Sequence, residues 1–419
     1  MGRERGRTAG AVVTSEGECL GSLGPFPVAT PWWADVGPVA DHLTAVLGVP
    51  VMVLRLVDVR GGGGARDGHV TYHAEAFGRP REGLLGAAPA DAAELLRPAA
   101  RRAGWATASG LRESLEWARE ALRAAGRPAS GAVRQVKTWN LSGLFRIPTA
   151  QGPVWLKETP AFATWEADAM EALAAVDPEL VPAVVASDAG RRRVVLDHLP
   201  GEDCWEAPAE TVRAMTGRWA AAQAALARRR DGIPDGLPDR TPRVLAEPVH
   251  GLLDGEAATG LTAAELSAAH RLAERLPALA TALEECGLPY SLVHADFHPG
   301  NWRSDGRRTA AVDFADCHFG HPALDALRTC AFLPADRRHE VTGAWTAAWS
   351  ALVPGSDPAR SLALAGPFAR LAYAVRYQEF LDGIEASERV YHEGDPAAEI
   401  RAALAAGERL GRGESLGGG

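Results

Sequence analysis

Lysine is nearly missing from this chain: of 44 basic residues only two, Lys137 and Lys157, are lysines, and 42 are arginines. A compact ammonium that survives such a bias is a candidate for a task that a broad guanidinium fork cannot perform. An excess of positive charge is missing too. With 53 acidic residues the net charge is -9, which argues against a general nucleic-acid binder and permits a cationic small-molecule partner. No stretch approaches the roughly 18 consecutive apolar residues of a membrane span. The opening residues have too short an apolar core for a secretory signal, so a cytoplasmic protein without a membrane partner is expected. The five cysteines, Cys19, Cys204, Cys286, Cys317 and Cys330, never fall in C-x-x-C spacing, which points to neither a disulfide framework nor a zinc site.

Against these absences stands one dense stretch, SLVHADFHPGNWRSDGRRTAAVDFADCHFGHPALD, from Ser291 to Asp325. An apolar run at Leu292–Val293 is followed within eight residues by His294, Asp296, His298 and Asn301, and a second apolar run, Ala310–Val312, delivers Asp313. Asp305–Gly306 between them is a turn signal. The order reads strand, polar loop, strand, turn, strand. Phosphoryl transfer from a nucleotide wants such a set: oxygen ligands for metal ions, and one carboxylate to orient and deprotonate an acceptor hydroxyl. Asp296, Asn301 and Asp313 supply a carboxylate, an amide oxygen and a second carboxylate, and oxygen-only ligands favour magnesium over zinc. Lys157, in the apolar run Val154–Lys157, would meet the nucleotide phosphates. His298, His318 and His321 flank the motif, where structural hydrogen bonding is preferred to metal binding. Cys317 reads as a small buried filler.

The string H-x-D-x-x-x-x-N followed by D-F, continued by Gly320, His321, Pro322 and Asp325, resembles the aminoglycoside phosphotransferase and choline kinase family. The resemblance spans about residues 131–410. It implies an α+β, protein-kinase-like bilobal fold, with a small β-rich N-lobe and a helical C-lobe. In that frame Asp296 is the catalytic base, Asn301 and Asp313 hold Mg2+, and His294 and Asp325 brace the catalytic loop. Lys157 grips the phosphates of ATP or GTP, with Glu166 preferred to Glu171 as its partner. The turn NLSGLFR, with Ser142 and Gly143, covers the phosphates, and Asp197, His198 and Leu199 line the adenine pocket.

Taken in order, residues 1–20 are Gly-rich and charged, and disorder is expected there. Residues 21–125 read as an additional small α/β unit: a helix near Val36–Leu47, then strands Val51–Val59 and His69–Ala76 around the loop GGGGARDG. That loop is a turn, because no helix start or lysine follows it. Helical stretches at Asp91–Arg102 and Leu111–Ala125 lead out of the unit. Residues 131–200 form the expected N-lobe, with a helix over Ala163–Val176 at apolar spacing, and residues 201–410 the helical C-lobe. Asp231–Pro248 is expected to be a loop, and residues 411–419 a tail.

The acceptor is less legible. Residues 376–400 hold seven acids against two arginines, which would suit a polycation such as an aminoglycoside, or would simply form the solvated face of a helix. Tyr377, Glu379 and Asp382 are the candidate acceptor contacts. The expectation is an ATP- or GTP-dependent O-phosphotransferase of a small molecule, directed at an antibiotic for inactivation or self-resistance. Its rivals are a metabolite kinase of choline, homoserine, thio-sugar or nucleoside type, and a non-catalytic kinase-like binding module. The accessory unit is a candidate surface for homodimerisation.

Overall fold

The computed structural model describes residues 6–90, 92–229 and 232–413. Residues 1–5 of the expected disordered start, Asp91 of an expected helix, Asp231 of an expected loop and residues 414–419 of the expected tail lie outside the described residues. The chain divides into two compact units. The first comprises Met1–Phe162, Val185–His198 and Phe380–Glu393, and the second Ala163–Val184, Leu199–Glu379 and Gly394–Gly419.

Residues 7–15 are ordered, against the expectation of disorder over residues 1–20: β1 (Arg7–Ser15) is a strand buried at all but one position. It pairs antiparallel with β2 (Glu18–Val28), whose glycines and prolines hid its period from the sequence reading. Helix α1 (Gly37–Leu47) ends on Gly48 in the left-handed conformation, which a glycine adopts at low cost. The pair β3 (Val51–Arg60) and β4 (His69–Ala76) is antiparallel, and β4 runs parallel to β1. The resulting sheet has the order β2-β1-β4-β3. Its core gathers Val13, Trp33, Leu43, Val53 and Tyr72. After a four-residue turn of helix, α2 (Ala92–Leu95), comes α3 (Ala108–Ala124), whose first turn is capped by Thr107 accepting from the amide of Gly110.

The next strands are β5 (Arg134–Trp139), β6 (Ser142–Ile147) and β7 (Val154–Glu158). The short helix α4 (Glu166–Ala174) intervenes before β8 (Val184–Asp188) and β9 (Arg193–Asp197). Their sheet has the order β5-β6-β7-β9-β8. Alternation along strands decides what each face carries. Val154, Leu156, Phe145 and Val195 pack with Leu111, Leu115 and Leu122 of α3. Glu158 shares that face, and Lys157, one residue earlier, lies on the other.

The second unit continues with β10 (Glu202–Asp203), α5 (Ala209–Arg228), α6 (Ala246–Leu253) and α7 (Ala263–Glu284). Helix α6 begins inside the stretch expected to be a loop, and α7 starts with a capping box in which Thr262 and Glu265 satisfy each other's backbone donors. Short strands β11 (Ser291–Val293), β12 (Trp302–Ser304), β13 (Thr309–Ala311) and β14 (His318–Gly320) follow. Helices α8 (Ala323–Phe332), α9 (Arg338–Leu352), α10 (Pro358–Gly383) and α11 (Asp395–Gly411) complete the chain. A β-rich first part and a helical second part give the α+β, kinase-like architecture that the motif implies. No described helix is long and apolar enough to cross a membrane.

Candidate active site

The polar loop is held between two antiparallel strand pairs. β11 pairs with β14, and β12 with β13, so the chain between β11 and β12 is fixed at both ends. Asp325, in the first turn of α8, ties the loop from below. Its carboxylate accepts from the amides of His294 (3.0 Å) and Ala295 (2.9 Å), from Trp219 Nε1 (2.7 Å) and from Gln223 Nε2 (3.0 Å). Burial pushes this carboxyl up to about 7, against the pull of those donors. The turn it anchors is strained: Ala295 has φ 69°, a left-handed conformation that a β-carbon disfavours.

His294 locks the other side. Its Nδ1 accepts from the Asp296 amide (3.2 Å), so the Nε2 proton goes to the carbonyl of Val312 (3.1 Å). Burial lowers its pKa and keeps the ring neutral. The Val312 amide donates to the carbonyl of Asn301 (2.9 Å), which fastens the segment bearing Asp313 to the loop bearing Asn301. Asp313 is exposed, with φ 69°, a left-handed conformation that aspartate tolerates better than most residues.

Asp296 is the most heavily held group. One carboxylate oxygen accepts from Arg328 Nε (2.9 Å) and a terminal guanidinium nitrogen (2.7 Å). The other accepts from Asn301 Nδ2 (2.8 Å) and lies 3.3 Å from His298 Nε2. Burial alone would raise its pKa; the Arg328 charge and the His298 contact outweigh it and hold the carboxyl well below the usual carboxylate range. Arg328 is set by packing, its guanidinium lying over the rings of Phe332 and Tyr373. Because Asn301 spends its NH2 on Asp296, its amide oxygen is left as an acceptor. That oxygen and the exposed Asp313 carboxylate suit a hard cation that takes its other ligands from phosphates and water.

The flanking histidines make structural contacts. His298 Nδ1 accepts from the Gly300 amide and His321 Nδ1 from the Ala323 amide, while burial pushes His318 and His321 down to about 3. Cys317 is fully buried, and burial raises its thiol well above the ordinary value.

In the first unit, Lys157 is 7 % exposed on the central strand β7, in register with Leu144 and Val194. The expected phosphate turn is smaller than NLSGLFR: Asn140 and Leu141 form it, and Ser142 and Gly143 already belong to β6. Ser142 Oγ accepts from Trp139 Nε1, and Gly143 packs under Trp105, where a β-carbon would come within 2.8 Å of the indole. Of the adenine-pocket candidates, Asp197 is in register with Val154 and paired with Arg127, which puts its side chain on the α3 face, away from Lys157. The reason is the strand period of two. His198 Nδ1 accepts from Trp155 Nε1 (3.1 Å), and Leu199 is buried where the second unit resumes. Glu166 is buried at the start of α4, in the second unit, and Glu171 lies on the same helix.

The acidic stretch near the C-terminus is not a free negative surface. Glu379 is held by Arg240 (2.6 Å) and Arg376 (2.9 Å), Glu385 by Arg102 (3.0 Å), and Glu399 by Arg370 (3.2 Å). Glu388 is buried against the amide of Leu56. A local charge count includes Arg376 but misses Arg102, Arg240 and Arg370, which lie outside residues 376–400. Tyr377 is half-buried, with its hydroxyl pushed up to about 12 by burial, and Asp382 is exposed. Sequence reasoning also missed Trp219 and Gln223 of α5, which carry no motif, and Arg328, whose only signal is its place three residues after Asp325.

The sequence matches the model of the APH phosphotransferase enzyme family over residues 122–364, more than half of the chain. No curated protein matches it by sequence. Among solved structures, the choline kinase of Streptococcus pneumoniae is 11% identical, with a TM-score of 0.52 over 70% of this chain and 99% of its own. The choline kinase of Cryptosporidium parvum is also 11% identical, with a TM-score of 0.50 over 67% of this chain and 90% of its own. A macrolide 2'-phosphotransferase from Brachybacterium faecium is 20% identical, with a TM-score of 0.44 over 68% of this chain and 98% of its own. At such identities the likeness is one of fold, and it is the family match that places the motif: this chain is a small-molecule kinase belonging to the phosphotransferase enzyme family.

Proposed function

We propose that the protein transfers the γ-phosphoryl group of ATP or GTP, with Mg2+, to a hydroxyl of a small-molecule antibiotic or related natural product, inactivating it. The observation that carries the reading is the constraint on Asp296, whose carboxylate is kept ionised and aimed by Arg328, Asn301 and His298. A carboxylate held so acidic is a weak base in the ground state. It orients the acceptor hydroxyl and takes its proton late, when the O–P bond is already forming, which suits a loose phosphoryl-transfer transition state. Asn301 Oδ1 and Asp313 would hold Mg2+, which supplies charge neutralisation at the transferring phosphates. Lys157 binds those phosphates as a point charge. The reaction takes place in the cytoplasm on this reading.

The pairing of Glu379, Glu385 and Glu399 with arginines favours a second reading of the acceptor. An acceptor with few positive charges, such as a hydroxylated metabolite or a weakly basic antibiotic, fits better than a polycation. The test is nucleotide turnover by the purified protein, with ATP and with GTP, against aminoglycosides, macrolides, choline and neutral sugars, with and without a magnesium chelator. Acceptor-dependent, chelator-sensitive turnover with one class supports the reading and names the acceptor. Turnover indifferent to every acceptor and to chelation contradicts it.

A further inference from the structure

A cavity of about 330 Å³ lies within the first unit, lined by residues of α3, β7, the turn before β6 and the segment after α10. It stands on the face of the five-stranded sheet that carries Glu158 and Arg193, register partners on β7 and β9. Lys157 points to the other face and does not line it. The cavity is therefore separate from the phosphate-gripping lysine.

Its wall has three buried residues, Asn140, Glu158 and Thr159, with polar atoms that make no hydrogen bond. Asn140 is 3 % exposed, and neither its amide nitrogen nor its oxygen is hydrogen-bonded. Glu158 is equally buried; one of its oxygens accepts from Ser114 Oγ (2.8 Å) and the other, Oε1, has no partner. Buried polar groups are rarely left so, because each forfeits the hydrogen bonds it made in water. Three of the five arginines that line the cavity are paired with acids: Arg102 with Glu385 at 3.0 Å, Arg191 with Glu113 at 3.2 Å and Arg193 with Asp188 at 2.9 Å. Burial pushes the Glu158 carboxyl up to about 7, which further reduces its charge near neutrality. What the wall offers is thus the Asn140 amide, a Glu158 oxygen and the Thr159 hydroxyl in a setting where most charges are paired, beside the half-buried ring of Phe162. The volume is at the small end for ligand pockets, which run from about 300 to 1,000 Å³.

From this geometry we infer that the cavity is a second ligand site, taking an uncharged, hydroxyl-rich small molecule of sugar or polyol type through Asn140 and Glu158. Hydroxyl groups both donate and accept, so one such ligand satisfies the amide and the carboxyl together. A charged ligand would find most of the surrounding charges already paired.

Binding is tested directly on the full chain, without turnover, by saturation-transfer NMR and calorimetry with glucose, maltose, myo-inositol and glycerol. Glucosamine and gluconate serve as charged counterparts. The expected result is saturable binding of at least one uncharged member, preferred over its charged counterpart. Asn140→Ala should weaken it about tenfold or more, since a buried hydrogen-bond partner is lost. Glu158→Gln, which keeps the shape, provides a second variant should the first fail to fold, and should also weaken binding. Lys157→Ala should leave affinity within about twofold, as expected for an independent site. No binding of any uncharged member at millimolar concentration, equal affinity in folded Asn140→Ala and Glu158→Gln variants, tighter binding of a charged counterpart, or loss in Lys157→Ala would overturn the inference.

Discussion

Arg328 and Asp325 show how much of the site is carried by single side chains that do no chemistry themselves. Arg328 donates twice to Asp296 and supplies the charge that depresses its pKa. Arg328→Ala should lower kcat by about 10²-fold through misplacement of the carboxylate. The acidic limb of the pH–rate profile should move to higher pH, because the group that favours the ionised form is gone. An acidic limb in the same place as in the wild type would contradict this role. Asp325 satisfies four buried donors, and Asp325→Ala leaves them all unpaired. We expect a loss of about 3–5 kcal/mol, read by urea unfolding followed by tryptophan fluorescence; an unshifted midpoint would show that the four hydrogen bonds are dispensable.

At the scale of elements, one contiguous motif was legible and the network around it was not. The loop from His294 to Asp325 could be read because its chemistry is local: the hydrogen bonds that fix it run mostly between residues of the same thirty-odd positions. The acidic stretch could not, because its meaning depends on Arg102, Arg240 and Arg370, brought in by folding. Strand β1 was missed because an almost fully buried strand shows no alternation. The turn at Asn140–Leu141 was placed too long because Gly143 reads like a phosphate-loop glycine, whereas Trp105 packs over it. Gly143→Ala should therefore destabilise by about 1–3 kcal/mol through overpacking, seen as a lower Tm; an unchanged Tm would mean that the indole moves aside freely.

The segment from Ala386 to Tyr391 gives a pH-dependent prediction. Glu388 is buried beside β3, and burial pushes its carboxyl from 4.5 up to about 8. A raised carboxyl favours the protonated folded state, so this contribution is complete below the ordinary value and is lost as pH rises through about 8. Asp325 and Glu158, both near 7, act in the same direction. Stability should therefore fall between pH 5.5 and 8, on the order of 2–3 kcal/mol for each group. Glu388→Gln should flatten that fall, and a variant with the wild-type slope would refute the assignment.

For the whole molecule, the residues to which the proposal gives roles are divided between the two units. Lys157 stands on a central strand of the first, whereas Asp296, Asn301 and Asp313 stand in the second. The central claim is that Asp296 performs the transfer step and does not hold the nucleotide. It is tested most directly by measuring, on one preparation of Asp296→Ala, both acceptor-dependent phosphoryl transfer and nucleotide affinity. The account predicts transfer reduced by about 10²–10⁴-fold with nucleotide affinity close to wild type. Transfer at the wild-type rate, or nucleotide binding lost along with it, would contradict the account.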